Sequence, residues 1–265
     1  MGNLVETVYW ATKGDKLTFL EAYKSTGKIL NITINSTVGD RPSLLLNCKT
    51  TPTVTIASAV LASSALPGLL PTAKLMEKDE KGNLIEFVGV GKEGWRDGSF
   101  KTDIPKKSLH WYFKVHFTIV SQVNPHVIMF FYNQSGSVGQ PSLHLMGKGW
   151  RGGFFFTILE HLLKLEMLKW MRLVRNLQLT PTLFGQDLSK VFLQTFHGNI
   201  TIHPDISIAD WLFLVSTPTP QQFQQKISTG VALTLPKVSM IKNRLSIEKK
   251  LESSYLLFKT NKSEA

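Results

Sequence analysis

The residue pattern in this chain best suited to acid or base chemistry is a carboxylate at a glycine corner. Asp97-Gly98-Ser99 follows a short apolar stretch and a glycine-rich loop, with Trp95 beside it, an arrangement that can aim an acid into a pocket. The same D-G pair is also an ordinary turn former, because both residues suit tight backbone corners. Other patterns fare worse. Gly89, Gly91 and Gly94 of GVGKEG fit the spacing G-x-G-x-x-G. A pyrophosphate site needs a helix N-terminus directly after such glycines, however, and Trp95-Arg96-Asp97-Gly98 continues the turn instead. An exposed hydrolase serine needs G-x-S-x-G, whose glycines let a strand turn sharply into a helix. The pairs Gly94/Gly98 and Gly149/Gly153 enclose Arg96 and Arg151, and Ser137 of SGSVG has Ser135 where the first glycine belongs. None of the seven histidines begins the His-x4-Asp pattern of glycerolipid acyltransferases. His126 follows Pro125 and reads as a core or loop residue. His197 and His203 have no third ligand placed near them, so neither a metal nor any other cofactor is expected.

Around these residues the pattern alternates between helix and strand. Leu17–Ser25 reads as a short helix ended by Gly27, and KILNITI (Lys28–Ile34) alternates as a strand does. Thr51 is placed to cap a helix with Pro52 at its first position, the small-residue run VTIASAVLASSAL following as far as Pro67-Gly68. Lys78–Asn83 reads as a polar turn, Leu84–Val88 as a strand, Gly89–Gly98 as a loop and Ile104–Phe113 as a helix. HFTIVSQV (His116–Val123) and HVIMFFY (His126–Tyr132) read as buried strands separated by Asn124-Pro125. Such alternation implies an α/β sheet layered with helices. After Ser135 the character changes to a Gly/Ser turn, the segment GKGWRGG and a long helix, Phe154–Leu177, whose apolar arc is unusually wide. Two domains are therefore expected, 1–135 and 136–265.

The whole-chain figures narrow the partners. The chain has 265 residues, 43% of them hydrophobic and 18% charged, with mean hydropathy +0.00, which is a globular composition and not a disordered one. Thirty Lys and Arg against nineteen Asp and Glu leave a net charge of +11 and favour an anionic partner, phospholipid headgroups or nucleic acid. Lys237–Lys262 carries seven basic and two acidic residues and reads as a tail that frays at its end. One cysteine, Cys48, excludes an intrachain disulfide and points to a reducing compartment. The uncharged stretches Thr50–Ala73 and Val115–Gly147 are interrupted by prolines and amides that lipid does not tolerate. The N-terminus lacks the charge and apolar pattern of a secretory signal, and Glu6 stands where a myristoylation signal has Ser or Thr.

Several segments taken together resemble a known family. LTFLEAYKSTGKILNITI (Leu17–Ile34), PSLLLNCKTTPTVTIASAVLASSALPG (Pro42–Gly68), WRDGSFKTDIP (Trp95–Pro105) and FTIVSQVNPHV (Phe117–Val127) resemble patatin-like phospholipases, in particular the branch containing fungal triacylglycerol lipases. GSVGQPSLHLMGKGWRGG (Gly136–Gly153), Leu163–Ser189 and NRLSIEKKL (Asn243–Leu251) resemble that branch's C-terminal extension. The resemblance covers nearly the whole chain in order.

It implies a three-layer α/β sandwich and a Ser-Asp dyad, with the serine on a G-x-S-x-G elbow and the aspartate in a D-G-[ASG] turn. Asp97 falls at the catalytic aspartate position. The serine elbow and the oxyanion glycines precede the LTFLEAY segment in the family, and sixteen residues stand before it here. The expectation is thus an incomplete sandwich with a helical, basic C-terminal extension: a truncated product, split gene or degenerate paralogue. A dyad without its nucleophile loses on the order of a millionfold in rate, and absent oxyanion donors cost about a hundredfold more. Expected partners are a neutral-lipid or phospholipid surface, a second copy of the chain or an intact patatin-like lipase. The expected place is the cytosolic side of a lipid droplet or endoplasmic reticulum membrane, with the cytoplasm as alternative. A lipid ester hydrolase module and a non-catalytic lipid-surface or interaction protein remain the two readings. Nucleic acid is not expected, for want of a stacking module or basic recognition helix.

Overall fold

The computed structural model describes residues 2–12, 14–38, 41–66, 68, 70–87, 94–124, 154–177, 179, 182–183, 186–187, 193–204 and 218–263. They form two compact units, residues 1–116 with 165–196 and residues 117–164 with 197–265. The boundary expected at 135/136 lies outside the described residues, as do the strand expected at 126–132, SGSVG, GKGWRGG and most of GVGKEG.

The first unit holds α1 (Gly2–Ala11), α2 (Phe19–Thr26), β1 (Ile32–Ser36), β2 (Leu44–Leu46), α3 (Ile56–Ser63), β3 (Met76–Lys78), β4 (Leu84–Glu86), β5 (Trp95–Asp97) and α4 (Lys106–Phe113). Helix α2 starts where Thr18 and Glu21 satisfy each other's free backbone donors. The Thr18 hydroxyl accepts the Glu21 N–H at 3.2 Å, and the Glu21 carboxylate accepts the Thr18 N–H at 3.0 Å, a reciprocal cap. The helix stops at Gly27, whose left-handed φ of 68° lets its N–H reach back to the Tyr23 carbonyl.

Strand β1 is central, with antiparallel neighbours on both sides in the order β2-β1-β5. Ile34 pairs with Leu44 on one side and with Asp97 on the other. Helix α3 contacts β1 and β5, and its alanines allow that close approach. Ala59 and Ala62 are fully buried in one cluster with Phe19, Ile34, Leu46, Val54, Ile56, Leu75 and Trp95.

Thr51 does not cap α3. The cap position is Thr55, because residues 54 and 55 are held extended by bridges Val54–Glu77 and Thr18–Thr55. Thr51 instead closes a turn organised by Asn47, whose Oδ1 accepts the Lys49 and Thr50 N–H groups at 2.8 and 2.9 Å. β1 likewise begins at Ile32 and not at Lys28, since pairing with β2 first reaches residue 32. The turn expected at Lys78–Asn83 joins β3 to β4, an antiparallel hairpin.

In the second unit β6 (Ile119–Ser121) pairs in parallel with β9 (Ile200–Ile202). Helix α6 (Pro220–Thr234) begins with a second reciprocal cap, between Thr219 and Gln222. A short 3-10 turn, Leu235–Lys237, leads into α7 (Val238–Ser263). That last helix takes in most of the basic segment Lys237–Lys262. Helix α5 (Phe154–Asn176), whose residues divide between the units at 164/165, falls where its periodicity placed it, and in the first unit β7 (Thr182–Leu183) pairs with β8 (Gln186–Asp187). The mixture of strands and helices is consistent with an α/β fold. Among the described residues no helix is long and apolar enough to cross a membrane.

Candidate functional site

Asp97 is the last residue of β5, an edge of the three-stranded sheet, and it caps the 3-10 turn Gly98–Phe100. The capping geometry uses both carboxylate oxygens. Oδ1 accepts the Ser99 N–H at 2.9 Å, and Oδ2 accepts the Ser99 hydroxyl at 2.7 Å. Burial holds the Asp97 carboxyl above the usual aspartate range, against the lowering effect of the two Ser99 donors and with a smaller upward push from the Asp103 anion. An acid tuned upward in this way keeps a proton more readily, as a general base must once it has taken one.

The corner is clamped from two sides. Asn35, on β1 and only 1% exposed, donates from Nδ2 to the carbonyls of Asp97 at 2.8 Å and Gly98 at 3.3 Å. Gln194 donates to the Ser99 carbonyl at 2.8 Å and accepts the Asp103 N–H at 2.7 Å. Gly98 has to be glycine for room: a Cβ there would lie 2.5 Å from the Thr33 carbonyl oxygen and 2.6 Å from its carbon. Those atoms belong to the central strand, so the aspartate corner sits directly on β1.

Ser99 is thus within bonding reach of Asp97, but its own N–H is committed to Oδ1. Beyond the 3-10 turn the N–H groups of Lys101 and Thr102 both go to the Gly98 carbonyl. Of the two cations flanking it in sequence, Lys101 directs its amine to the Arg41 carbonyl at 3.0 Å. Among the described residues no group of three or more His, Cys, Asp or Glu is placed to hold a metal ion. Cys48 is a half-buried free thiol packed against the core.

Sequence reasoning missed Asn35 and Gln194. The first left a faint trace, an amide inside a strand whose last three residues prove buried on both faces. The second left none, since it lies 95 residues from the carbonyl it holds.

Comparison with known proteins supplies a family. The chain is 45% identical over 239 residues to a patatin-like phospholipase domain-containing protein of Aspergillus terreus, a match covering 90% of this chain and 33% of that protein. A protein of the same description from Neosartorya fischeri is 46% identical over 239 residues, with the same coverage. One from Neurospora crassa is 44% identical over 256 residues, 95% of this chain and 29% of the relative. No family model matches the chain, and no solved structure matches it. The chain spans about a third of the length of the curated relatives it matches. Over nine tenths of its own length, then, it is a homologue of the fungal patatin-like phospholipase domain-containing proteins.

Proposed function

We propose that this chain is the aspartate-bearing portion of a patatin-like lipid ester hydrolase, with a triacylglycerol as the substrate and Asp97 as the base of a Ser-Asp dyad. The observation that carries the reading is the Asp97 corner: a carboxyl raised by burial, on a D-G turn with no room for a side chain at Gly98, in a chain homologous to proteins of that family. The serine is supplied by a G-x-S-x-G elbow that the 265 residues do not contain. Asp97 takes the serine proton as the hydroxyl adds to the ester carbonyl, then returns it to the departing alcohol. A water repeats the cycle on the acyl-enzyme. The three-layer sandwich is completed by the elements that carry the elbow, or by pairing with a second copy or an intact patatin-like lipase. Taken by itself the chain is inactive.

A chimera tests this. The chain replaces its homologous segment in the Aspergillus terreus relative, and hydrolysis of a p-nitrophenyl ester and of a triacylglycerol emulsion is followed. The chimera should turn over both, and Asp97→Asn should reduce the rate by about ten-thousandfold. A variant within tenfold of the parent would refute the assignment.

A second reading is favoured by α5, in which Leu162, Leu163 and Trp170 are each more than half exposed and Lys169, Arg172 and Arg175 lie close by in the same helix. It makes the chain a non-catalytic protein of neutral-lipid or phospholipid surfaces, at the lipid droplet or endoplasmic reticulum and not free in the cytoplasm. Flotation with droplets, together with an inactive chimera, would favour it.

A further inference from the structure

The second unit contains an open groove that the ester-hydrolase reading does not use. Its volume is about 450 Å³, and its walls are Ile227, Gly230, Val231 and Thr234 of α6, with Leu235, Val238, Ser121 and Ile202. The aliphatic walls are left in water: Ile227 is 49% exposed and Leu235 64%. Ser121 and Ile202 are register partners in the parallel pair, so strand and helix together make one trough. Gly230 forms part of its floor, and a Cβ placed there would meet nothing within 4 Å.

A cation is anchored on the strand that contributes Ile202 to the groove. Lys237 lies between Leu235 and Val238, both lining residues, and its amine donates to the carbonyl of Thr201, next to Ile202. The amine is half-buried, and burial pulls its pKa below the ordinary lysine value with no opposing carboxylate. Among the described residues no acid pairs with it. A partly desolvated ammonium without a counter-ion is an unfavourable arrangement that a ligand anion relieves. An apolar trough with such a cation on its strand suits one ligand shape, a hydrocarbon chain with an anionic head.

We propose that this groove binds a single-chain fatty acid, its alkyl chain against Ile202, Ile227, Val231 and Val238 over Gly230 and its carboxylate on the Lys237 ammonium. Such an acid is also what a lipid ester hydrolase releases, but the site is built from unit-two residues and stands whether or not Asp97 is catalytic.

Calorimetric titration of the full chain with decanoate and with decanol tests it. Decanoate should bind saturably, one per chain. Gly230→Leu adds bulk at a lining position where a Cβ meets nothing within 4 Å and replaces a poor helix former by a good one, and it should weaken decanoate about tenfold or more while leaving the helical circular dichroism signal unchanged. Lys237→Gln keeps the stem but removes the charge. It should weaken decanoate about tenfold while leaving decanol within about twofold, the signature of a lost ionic contact. Absence of saturable binding, unchanged decanoate affinity in either variant, or equal weakening of acid and alcohol by Lys237→Gln would each overturn the proposal. So would sedimentation showing that the trough is occupied by a second copy, released by Gly230→Leu.

Discussion

Placing a methyl group on Gly98 probes the aspartate corner directly. Gly98 has no left-handed φ, so alanine meets no backbone penalty, and the whole effect is steric. The new Cβ would sit 2.5, 2.6 and 2.7 Å from the oxygen, carbon and Cβ of Thr33. Thr33 cannot retreat, because β1 is hydrogen-bonded to β2 on one side and β5 on the other. Relief therefore requires the turn to lift away from β1 by most of an ångström, straining the Asn35 bonds to the Asp97 and Gly98 carbonyls. Overpacking of this kind costs roughly 1–3 kcal/mol, and the pinned strand places Gly98→Ala near the upper half, about 2 kcal/mol. For a domain of this size each kcal/mol lowers Tm by about 2–4 °C, so a fall of roughly 4–8 °C is expected by circular dichroism. Hydrogen exchange should quicken at the β5 amides while those of the β3–β4 hairpin stay protected. In the chimera, a displacement approaching 1 Å at Asp97 should cost about a hundredfold in rate. A Tm within about 1 °C of the parent, a quarter or less of the expected fall, with unchanged β5 exchange, would refute this steric reasoning.

Three further outcomes are expected. Asp97→Asn should stabilise the fold increasingly as pH rises: the carboxyl's folded pKa lies above its unfolded value, so its contribution is present at low pH and lost as pH climbs through the folded pKa. The difference in Tm between variant and parent should therefore grow as pH rises above about 4, the unfolded aspartate value, and a flat difference would count against burial as the cause. Thr18→Ala removes the hydroxyl that caps α2 and should cost about 1 kcal/mol in urea unfolding, whereas Thr51→Ala, which caps nothing, should leave α3 helical by NMR. Lys114 adopts a left-handed φ of 56° at the end of α4, so Lys114→Gly should raise stability by about 0.5–1 kcal/mol, with no gain if that conformation is wrong.

What could be read in advance depended on the range of the interaction. Helix α2 was legible because its start and stop are local: Thr18 and Glu21 are three residues apart, and Gly27 can hardly do anything else after a short helix. α5 was legible because its apolar periodicity runs unbroken for six turns. The start of α3 was not, because Thr51-Pro52 carries a good local capping signal that is overridden by bridges to Thr18 and Glu77. The length of β1 was misread for a similar reason, since Lys28–Asn31 alternates as a strand does but pairs with no strand among the described residues. At the corner itself Asp97-Gly98 was visible as a motif, whereas the steric need for Gly98 depends on Thr33, more than sixty residues away. Asn35 and Gln194 act through carbonyls, and a side chain that recognises backbone leaves no partner to find by residue type.

The reach of Gln194 bears on how the protein is made. The Ser99 carbonyl emerges 95 residues before the amide that secures it, and at 5–20 residues per second that interval is roughly 5–19 s of synthesis. Throughout that time the nascent corner can rest on β1 through Asn35, which is already present, but its outer side stays untethered. Final ordering of the acid is then a late event in biogenesis, and a ribosome stalled between these two points would display a sheet already formed around an aspartate not yet held in place.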